Sequence, residues 1–259
     1  MSASTIRRSL DADALKPWRH RSWLFPRDPQ FATKAGRVLD LYAGWWAGQP
    51  LDPADCVLSA DEQTSIQARG RCHATTPPQP GQAMRVEHEY ARGGALAYRA
   101  AWDVRRGGVI GRCDATTGIA PFGLLVDLVM QREPYRSALR VCWVVDNGSS
   151  HRGEAACQRL RARHPHRVLV HLPTHASWRN QIERYFSIVQ RKVLTPNDFP
   201  DLAAVETRLL AFETRYNETA VPFHWRFTRQ QFEARLAAHR PSAWGAACRN
   251  PTADCEMEH

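Results

Sequence analysis

The chain has 259 residues, 43% hydrophobic and 24% charged, and this composition excludes a wholly disordered or fibrous protein. Its net charge is +9, and only Lys16, Lys34 and Lys192 among the 35 basic residues are lysines. An arginine excess of this kind favours a polyanionic partner, nucleic acid first, because the planar guanidinium fits phosphate with two parallel hydrogen bonds.

Residues 2–15 predict one short helix, with Ser4 or Thr5 as cap, Ile6 and Leu10 on one face, and Pro17 closing it. The basic, aromatic stretch from Trp18 to Arg27 reads as a linker broken by Pro26. Phe31, Val38, Tyr42 and Trp45 then give an apolar stripe and predict a helix over 30–46. Cys56–Ala60 reads as a short apolar strand that ends at Asp61 and Glu62. After a proline-rich loop, 85–103 reads as two strands joined near Gly93 and Gly94, and 108–113 as a third. Phe122, Leu125 and Val129 mark a helix over 121–132. The unbroken apolar run Val141–Val145 suits a central strand buried on both faces, and it stops at Asp146.

A helix over 154–164 and a strand over 167–172 follow. Two long helices come next. Trp178, Ile182, Phe186 (or Tyr185) and Val189 form the buried stripe of the one over 177–194, and Leu202, Val205, Leu209, Phe212 and Tyr216 that of the one over 201–216. A short helix is expected over 229–239, and residues 241–259 lose periodicity and read as a disordered tail. The order predicts an α/β fold, a mixed sheet flanked by helices with a short helical N-terminal extension.

The seven cysteines contain no C-x-x-C pair, which argues against a zinc ribbon and reads as buried free thiols in a reducing cytoplasm. Residues 1–15 lack the apolar core of a secretory signal, and no run approaches the roughly 20 apolar residues of a membrane helix. His171 and His175 flank Pro173, so they cannot pair on a helix to bind metal.

Asp61 and Asp146 each stand where an apolar strand ends, the place where ligand crevices of open α/β sheets form. Glu183 follows Ile182 directly, at the rim of a buried helical stripe. Taken singly, an aspartate at a strand end is more often a turn or cap residue. Three hard-oxygen carboxylates from two strands and a helix suit Mg²⁺ or Mn²⁺, and two such ions would serve an in-line displacement at phosphorus.

The blocks around these carboxylates are Leu58-Ser59-Ala60-Asp61-Glu62-Gln63, Asp146-Asn147-Gly148-Ser149-Ser150-His151, and the run from His171 through Asn180-Gln181-Ile182-Glu183-Arg184-Tyr185-Phe186 to Leu194. In this order and spacing they resemble the DDE transposases of bacterial insertion sequences, in particular the insertion-sequence 630 group allied to the mariner superfamily. The resemblance spans about Thr5 to Arg240. It implies an RNase H-like catalytic domain over 51–240 with Asp61, Asp146 and Glu183 as the metal-binding triad. It also implies two Mg²⁺ (or Mn²⁺) ions, hydrolysis at element ends, and attack of the freed 3′-hydroxyl on target DNA, typically at a TA step. Asp61 would bridge both ions. His151 would either touch the scissile phosphate or a metal-bound water, or orient Asp146. The partners implied are double-stranded DNA, as element terminal repeats and target, and a second copy in a synaptic complex, with no membrane. The expected location is the bacterial cytoplasm, at the nucleoid.

The family carries a helix-turn-helix region ahead of the core, whereas one short helix precedes Pro17 here. Residues 1–50 therefore read as the remnant of that region plus a linker and a helix, and the chain as N-terminally truncated. Basic charge concentrates around the third carboxylate, with 15 Lys and Arg against 8 Asp and Glu from Asn147 to Arg240. Arg179, Arg184, Arg191 and Lys192 are the candidates for tracking DNA phosphates, with Arg19 and Arg21 in the linker, although the same residues would also suit a solvated helix face or a linker packed on the core. Two other readings are a catalytically silent DNA-binding or regulatory remnant of a transposase, and a repair or recombination nuclease of the same fold.

Overall fold

The computed structural model describes residues 2–12, 28–148, 158, 162–174, 176 and 180–238. Helix α1 is Ala3–Ala12 and α2 is Phe31–Tyr42. The expected helix over 30–46 thus ends early. Gly44 and Gly48 take left-handed φ values of 85° and 82°, which glycine adopts without strain. They fold Trp45–Trp46 (β1) back on Gln49–Pro50 (β2) as a two-residue antiparallel ladder.

The main sheet has five strands: β3 (Asp55–Arg71), β4 (Tyr90–Asp103), β5 (Val109–Asp114), β6 (Arg140–Val145) and β7 (Arg167–His171), in the order β5-β4-β3-β6-β7. The β3-β4 and β4-β5 pairs are antiparallel, while β3-β6 and β6-β7 are parallel, so the sheet is mixed as expected. Two expectations need correction. The strand over 56–60 does not stop at Asp61 but runs on to Arg71, and 85–103 holds one strand, Tyr90–Asp103, not two, because the far half of β3 supplies the hairpin partner. β4 passes through Gly93 and Gly94 opposite an irregularity in β3, and Gly94 has φ 94°.

The helices α3 (Ile119–Met130), α4 (Ile182–Lys192), α5 (Leu202–Glu218) and α6 (Arg229–Ala238) cover the sheet and its flank. Strand alternation sorts the core into two layers. Val57, Tyr98, Ala100, Trp102, Cys142 and Val144 face α4 and α5, meeting Ile182, Tyr185, Val189, Val205 and Leu209. Cys56, Leu58, Ala60, Val141, Trp143 and Val145 face α3, meeting Phe122, Leu125, Val126 and Val129. The run Val141–Val145 is therefore buried on both sides, which is why it shows no polar alternation. A small third cluster joins α2 to α6 through Ala35, Leu39 and Phe232.

Helix α4 begins at Ile182, later than the predicted start at 177, and residues 177–179 lie outside the described residues. So do the linker over 18–27, most of the predicted helix over 154–164, and the tail over 241–259. Among the described cysteines Cys56 and Cys142 are buried thiols as expected, Cys113 is half-buried, and Cys72 corrects the expectation by being exposed. No helix among the described residues is long and apolar enough to cross a membrane.

Asp201 caps α5, its Oδ1 accepting from the Ala204 N–H at 2.8 Å. Asp201→Ala is expected to cost about 1 kcal/mol. Urea unfolding would measure it, and an unchanged midpoint would refute the cap's contribution.

Candidate active site

Asp61 lies within β3, but the parallel pairing of β3 with β6 ends at Ser59 and Val144. Asp61 therefore stands just past the last shared rung, and Asp146 stands one residue past the end of β6. Counting by twos from Val57 and from Cys142, both aspartates fall on the α4-facing side. Glu183 sits in the first turn of α4, whose stripe Ile182, Tyr185, Phe186 and Val189 anchors that helix on the same side. Two strand ends and one helix start thus bring the three carboxylates to one edge of the sheet.

A buried polar network fixes this edge. Asn180 is almost fully buried, and its Nδ2 donates to Asp61 Oδ2 and to the Ala60 carbonyl, both at 3.0 Å. Ser59 Oγ donates to Asn180 Oδ1 and accepts the first N–H of α4, from Ile182, at 2.9 Å. Tyr42 of α2 shares a hydrogen bond with the same Ser59. The Glu62 N–H donates to Asp61 Oδ1 at 2.8 Å. Asp146 Oδ1 accepts the Gly148 N–H at 2.7 Å, and the Asn147 amide donates to the Leu172 carbonyl at 2.6 Å, tying the end of β6 to the end of β7. In the sequence Ser59 and Asn180 stand only within the motif blocks, and Tyr42 only in an apolar stripe. The position of Ser59, two residues before Asp61 on the same strand face, was the available signal.

Glu62, next to Asp61, points to the other face. There it pairs across β4 with the buried Arg99, whose Nε is 3.9 Å from Asp114 Oδ2. Glu62 is thereby committed to a structural ion pair.

Burial pushes the Asp61 carboxyl up to about 7, and the nearby charges of Asp146 and Glu183 add to this, against the opposing hydrogen bonds from Glu62 and Asn180. Glu183 is also raised, by desolvation and by the charge of Asp146. The three groups therefore feel one another. Among the described residues, no group of three His, Cys, Asp or Glu side chains is already set to hold a metal ion. The donor chemistry nonetheless fits one, because clustered carboxylates whose charges repel are relieved by a hard divalent cation.

The raised Asp61 gives a signed pH prediction. Its folded pKa exceeds the unfolded value of 3.8, so stability at this site is full below about pH 4 and is lost as pH rises through about 7. In chelator-containing buffer, the melting temperature of Asp61→Asn relative to the natural chain is expected to rise by a few degrees from pH 4 to pH 8, because the one N–H acceptor that Asn lacks is missing equally at both pH values. A difference that does not change with pH would refute this.

Of the other predicted site residues, Arg184, Arg191 and Lys192 are exposed on α4. Arg184 stacks over Phe223 at 5.1 Å, and Arg191 donates to Ser187 Oγ at 2.6 Å. His151, Arg179, Arg19 and Arg21 lie outside the described residues.

Comparison with known proteins adds three findings. Residues 56–206, over half of the chain, match the family described as DDE superfamily endonuclease. The fold is similar to the Mos1 mariner paired end complex with Mn, at 14% identity and TM-score 0.56, over 83% of this chain and 64% of that one. It is similar to the mariner Mos1 paired end complex with Mg, at 15% identity and TM-score 0.56, over 92% of this chain and 71% of that one. The catalytic domain of Mos1 mariner transposase matches at 12% identity and TM-score 0.52, over 85% of this chain and 97% of that domain. The chain thus spans 64% of the length of the first of these structures and nearly all of the isolated domain. The mixed five-stranded sheet with its flanking helices is the RNase H-like α/β fold of such catalytic domains. No curated protein sequence matches the chain.

Proposed function

The chain belongs to the DDE superfamily endonuclease family, and on that premise we propose that it is a transposase of the insertion-sequence 630 type, cutting DNA at element ends and joining the freed 3′-hydroxyl to target DNA. The observation that carries this reading is the placing of Asp61, Asp146 and Glu183 along one sheet edge, with Asp61 and Glu183 raised by burial first and by their neighbours' charge second. These three carboxylates would hold two Mg²⁺ or Mn²⁺ ions. Bound there, the ions supply charge neutralisation at the attacking and leaving oxygens.

The chain's own residues set the geometry. Ser59 and Asn180 lock the start of α4 to β3, so that Glu183 and Asp61 keep their spacing, and the Gly148 N–H orients Asp146. His151 is proposed to act beside Asp146, at the phosphate or as its orienting partner. Arg184, Arg191 and Lys192 are exposed on the helix that carries Glu183, the last two about 12 Å along it, and with Arg179, Arg19 and Arg21 they are proposed to follow the phosphates. The working form is proposed to be a dimer synapsing two element ends, in the bacterial cytoplasm.

The test is nicking of supercoiled plasmid by the natural chain, with Mg²⁺, with Mn²⁺ and with chelator. Cleavage that appears only with metal is the expected result. Absence of cleavage with metal still bound would favour the catalytically silent remnant. Absence of both would overturn the assignment.

A further inference from the structure

Beyond residue 59, β6 no longer covers β3, so the edge of β3 from Asp61 onward lies open toward α4. Successive clefts follow this edge and share their walls. The first, about 400 Å³, touches Glu183 and is bounded by Gln63, Ser187 and Gln190. The second, about 160 Å³, continues from Gln63 and Gln190 to Arg69 and Asn197. The third, about 480 Å³, runs from Gln190, Asn197 and Arg69 to Tyr90. Together they form one trough that starts beside Glu183.

The lining is selective. Gln63 Nε2 donates to Gln190 Oε1 at 3.0 Å and Asn197 Nδ2 donates to the Gln67 carbonyl at 2.7 Å, so the amides stand as an ordered row along the trough. Such amides read base edges. At the far end the Arg69 guanidinium lies 4.6 Å from the centre of the Tyr90 ring, and its Nε donates to Gln67 Oε1. It has no carboxylate partner among the described residues. Arg71 beside it is occupied by backbone carbonyls of Glu87, His88 and Asn197, so it builds the wall while Arg69 stays available. A cation on an aromatic platform, reached through amides, is the chemistry of a nucleic-acid strand.

We infer that this trough carries one DNA strand away from the carboxylates, with Gln63, Gln190 and Asn197 at its bases and Arg69 with Tyr90 gripping its far end. The inference rests on the reading of the carboxylates as a DNA-cutting site and adds where the strand goes. Scale fixes a length. Gln190 lies seven residues along α4 from Glu183, about 10 Å at about 1.5 Å per residue. Arg69 lies eight strand residues from Asp61, about 25 Å. At about 3.4 Å per nucleotide, the amides meet the strand about three nucleotides from the cut, and Arg69 meets it about seven away.

The experiment uses the full chain and fluorescein-labelled duplexes with single-stranded tails of about ten or about three nucleotides, on either the 3′ or the 5′ side. Binding is followed by anisotropy in chelator, and nicking is scored separately with Mg²⁺. The longer tail is expected to bind about tenfold tighter than the shorter one on one side only, which identifies the strand. Arg69→Ala and Tyr90→Ala should each erase that difference without changing affinity for the short tail, and Arg69→Lys should retain part of it. An unchanged melting temperature confirms that these partly exposed substitutions leave the fold intact. If the natural chain nicks DNA but tail length makes no difference, or if Arg69→Ala keeps the difference, the track is overturned while the catalytic reading stands. If the length effect depends on Arg69 and Tyr90 but no nicking occurs, the track stands and the catalytic reading fails. Absence of binding to either tail overturns the track.

Discussion

Glu183→Gln is expected to reduce metal-dependent nicking of supercoiled DNA by roughly a thousandfold or more while leaving the melting temperature unchanged, because it removes a charge that we propose holds metal and whose effect appears in the transition state. The two halves of this expectation have separate causes. Glu183 is exposed in the first turn of α4, and the helix is held by Ile182, Tyr185 and Val189, not by the carboxylate. Gln keeps the side chain's length, so folding has nothing to lose. Asp146→Asn should behave alike, since the Asn oxygen can still accept the Gly148 N–H. Asp61→Ala differs. It leaves the Asn180 amide without one of its acceptors inside a buried network, so it should lose nicking and some stability as well. Wild-type nicking rates from Glu183→Gln or Asp146→Asn would remove those residues from the site. Losses in step with falling melting temperature would assign them a structural role instead.

Trp143→Ala should be among the most destabilising single changes in the sheet. Trp143 is fully buried in β6 and meets the Phe122 ring edge-on at 6.2 Å. Its removal leaves a void between β6 and α3 that the flanking strands cannot close, at a cost of about 3–5 kcal/mol. That is a large share of the roughly 5–15 kcal/mol of a typical domain. The indole N–H is buried with no partner among the described residues, so Trp143→Phe sheds a desolvated donor along with volume. It should cost less than half as much as the alanine change. Urea unfolding of both variants decides it. Equal costs for Phe and Ala would mean that a phenyl ring restores none of the packing at this position, and would refute this account.

The elements were legible wherever one physical period ruled. The run Val141–Val145 carried no alternation because both of its faces are buried, and the spacing of Ile182, Phe186 and Val189 matched a helix packed on one side. Boundaries were misread where local geometry overrode period. The stripe through Trp45 suggested a helix that two left-handed glycines instead fold back, and the strand at Cys56 continued past Asp61 because its partner is β4, from Ala100 opposite Asp61 to Tyr90 opposite Arg71. No local pattern could show that the second half of β3 pairs with the start of β4. The exposed Cys72 was misjudged for the same reason, since it sits at the tip of a hairpin arm that sequence reading had made a loop.

By itself the sequence determined the class of fold, the order of the helices and of most strands of the main sheet, and three candidate carboxylates, because these depend on side-chain periodicity and on motif blocks contiguous in the chain. Only the tertiary structure decided which carboxylates share a face. Asp61 and Glu62 are neighbours in sequence, yet the two-residue pleat sends one to the Asn180 network and the other to Arg99. It also decided that Ser59, Asn180 and Tyr42, from three separate elements, meet to hold Asp61 against the start of α4, and that an open edge of β3 runs from the carboxylates to Arg69 and Tyr90. Such contacts are set by how sheet and helices stack in space. Residues more than a hundred positions apart become neighbours only when the core closes around them.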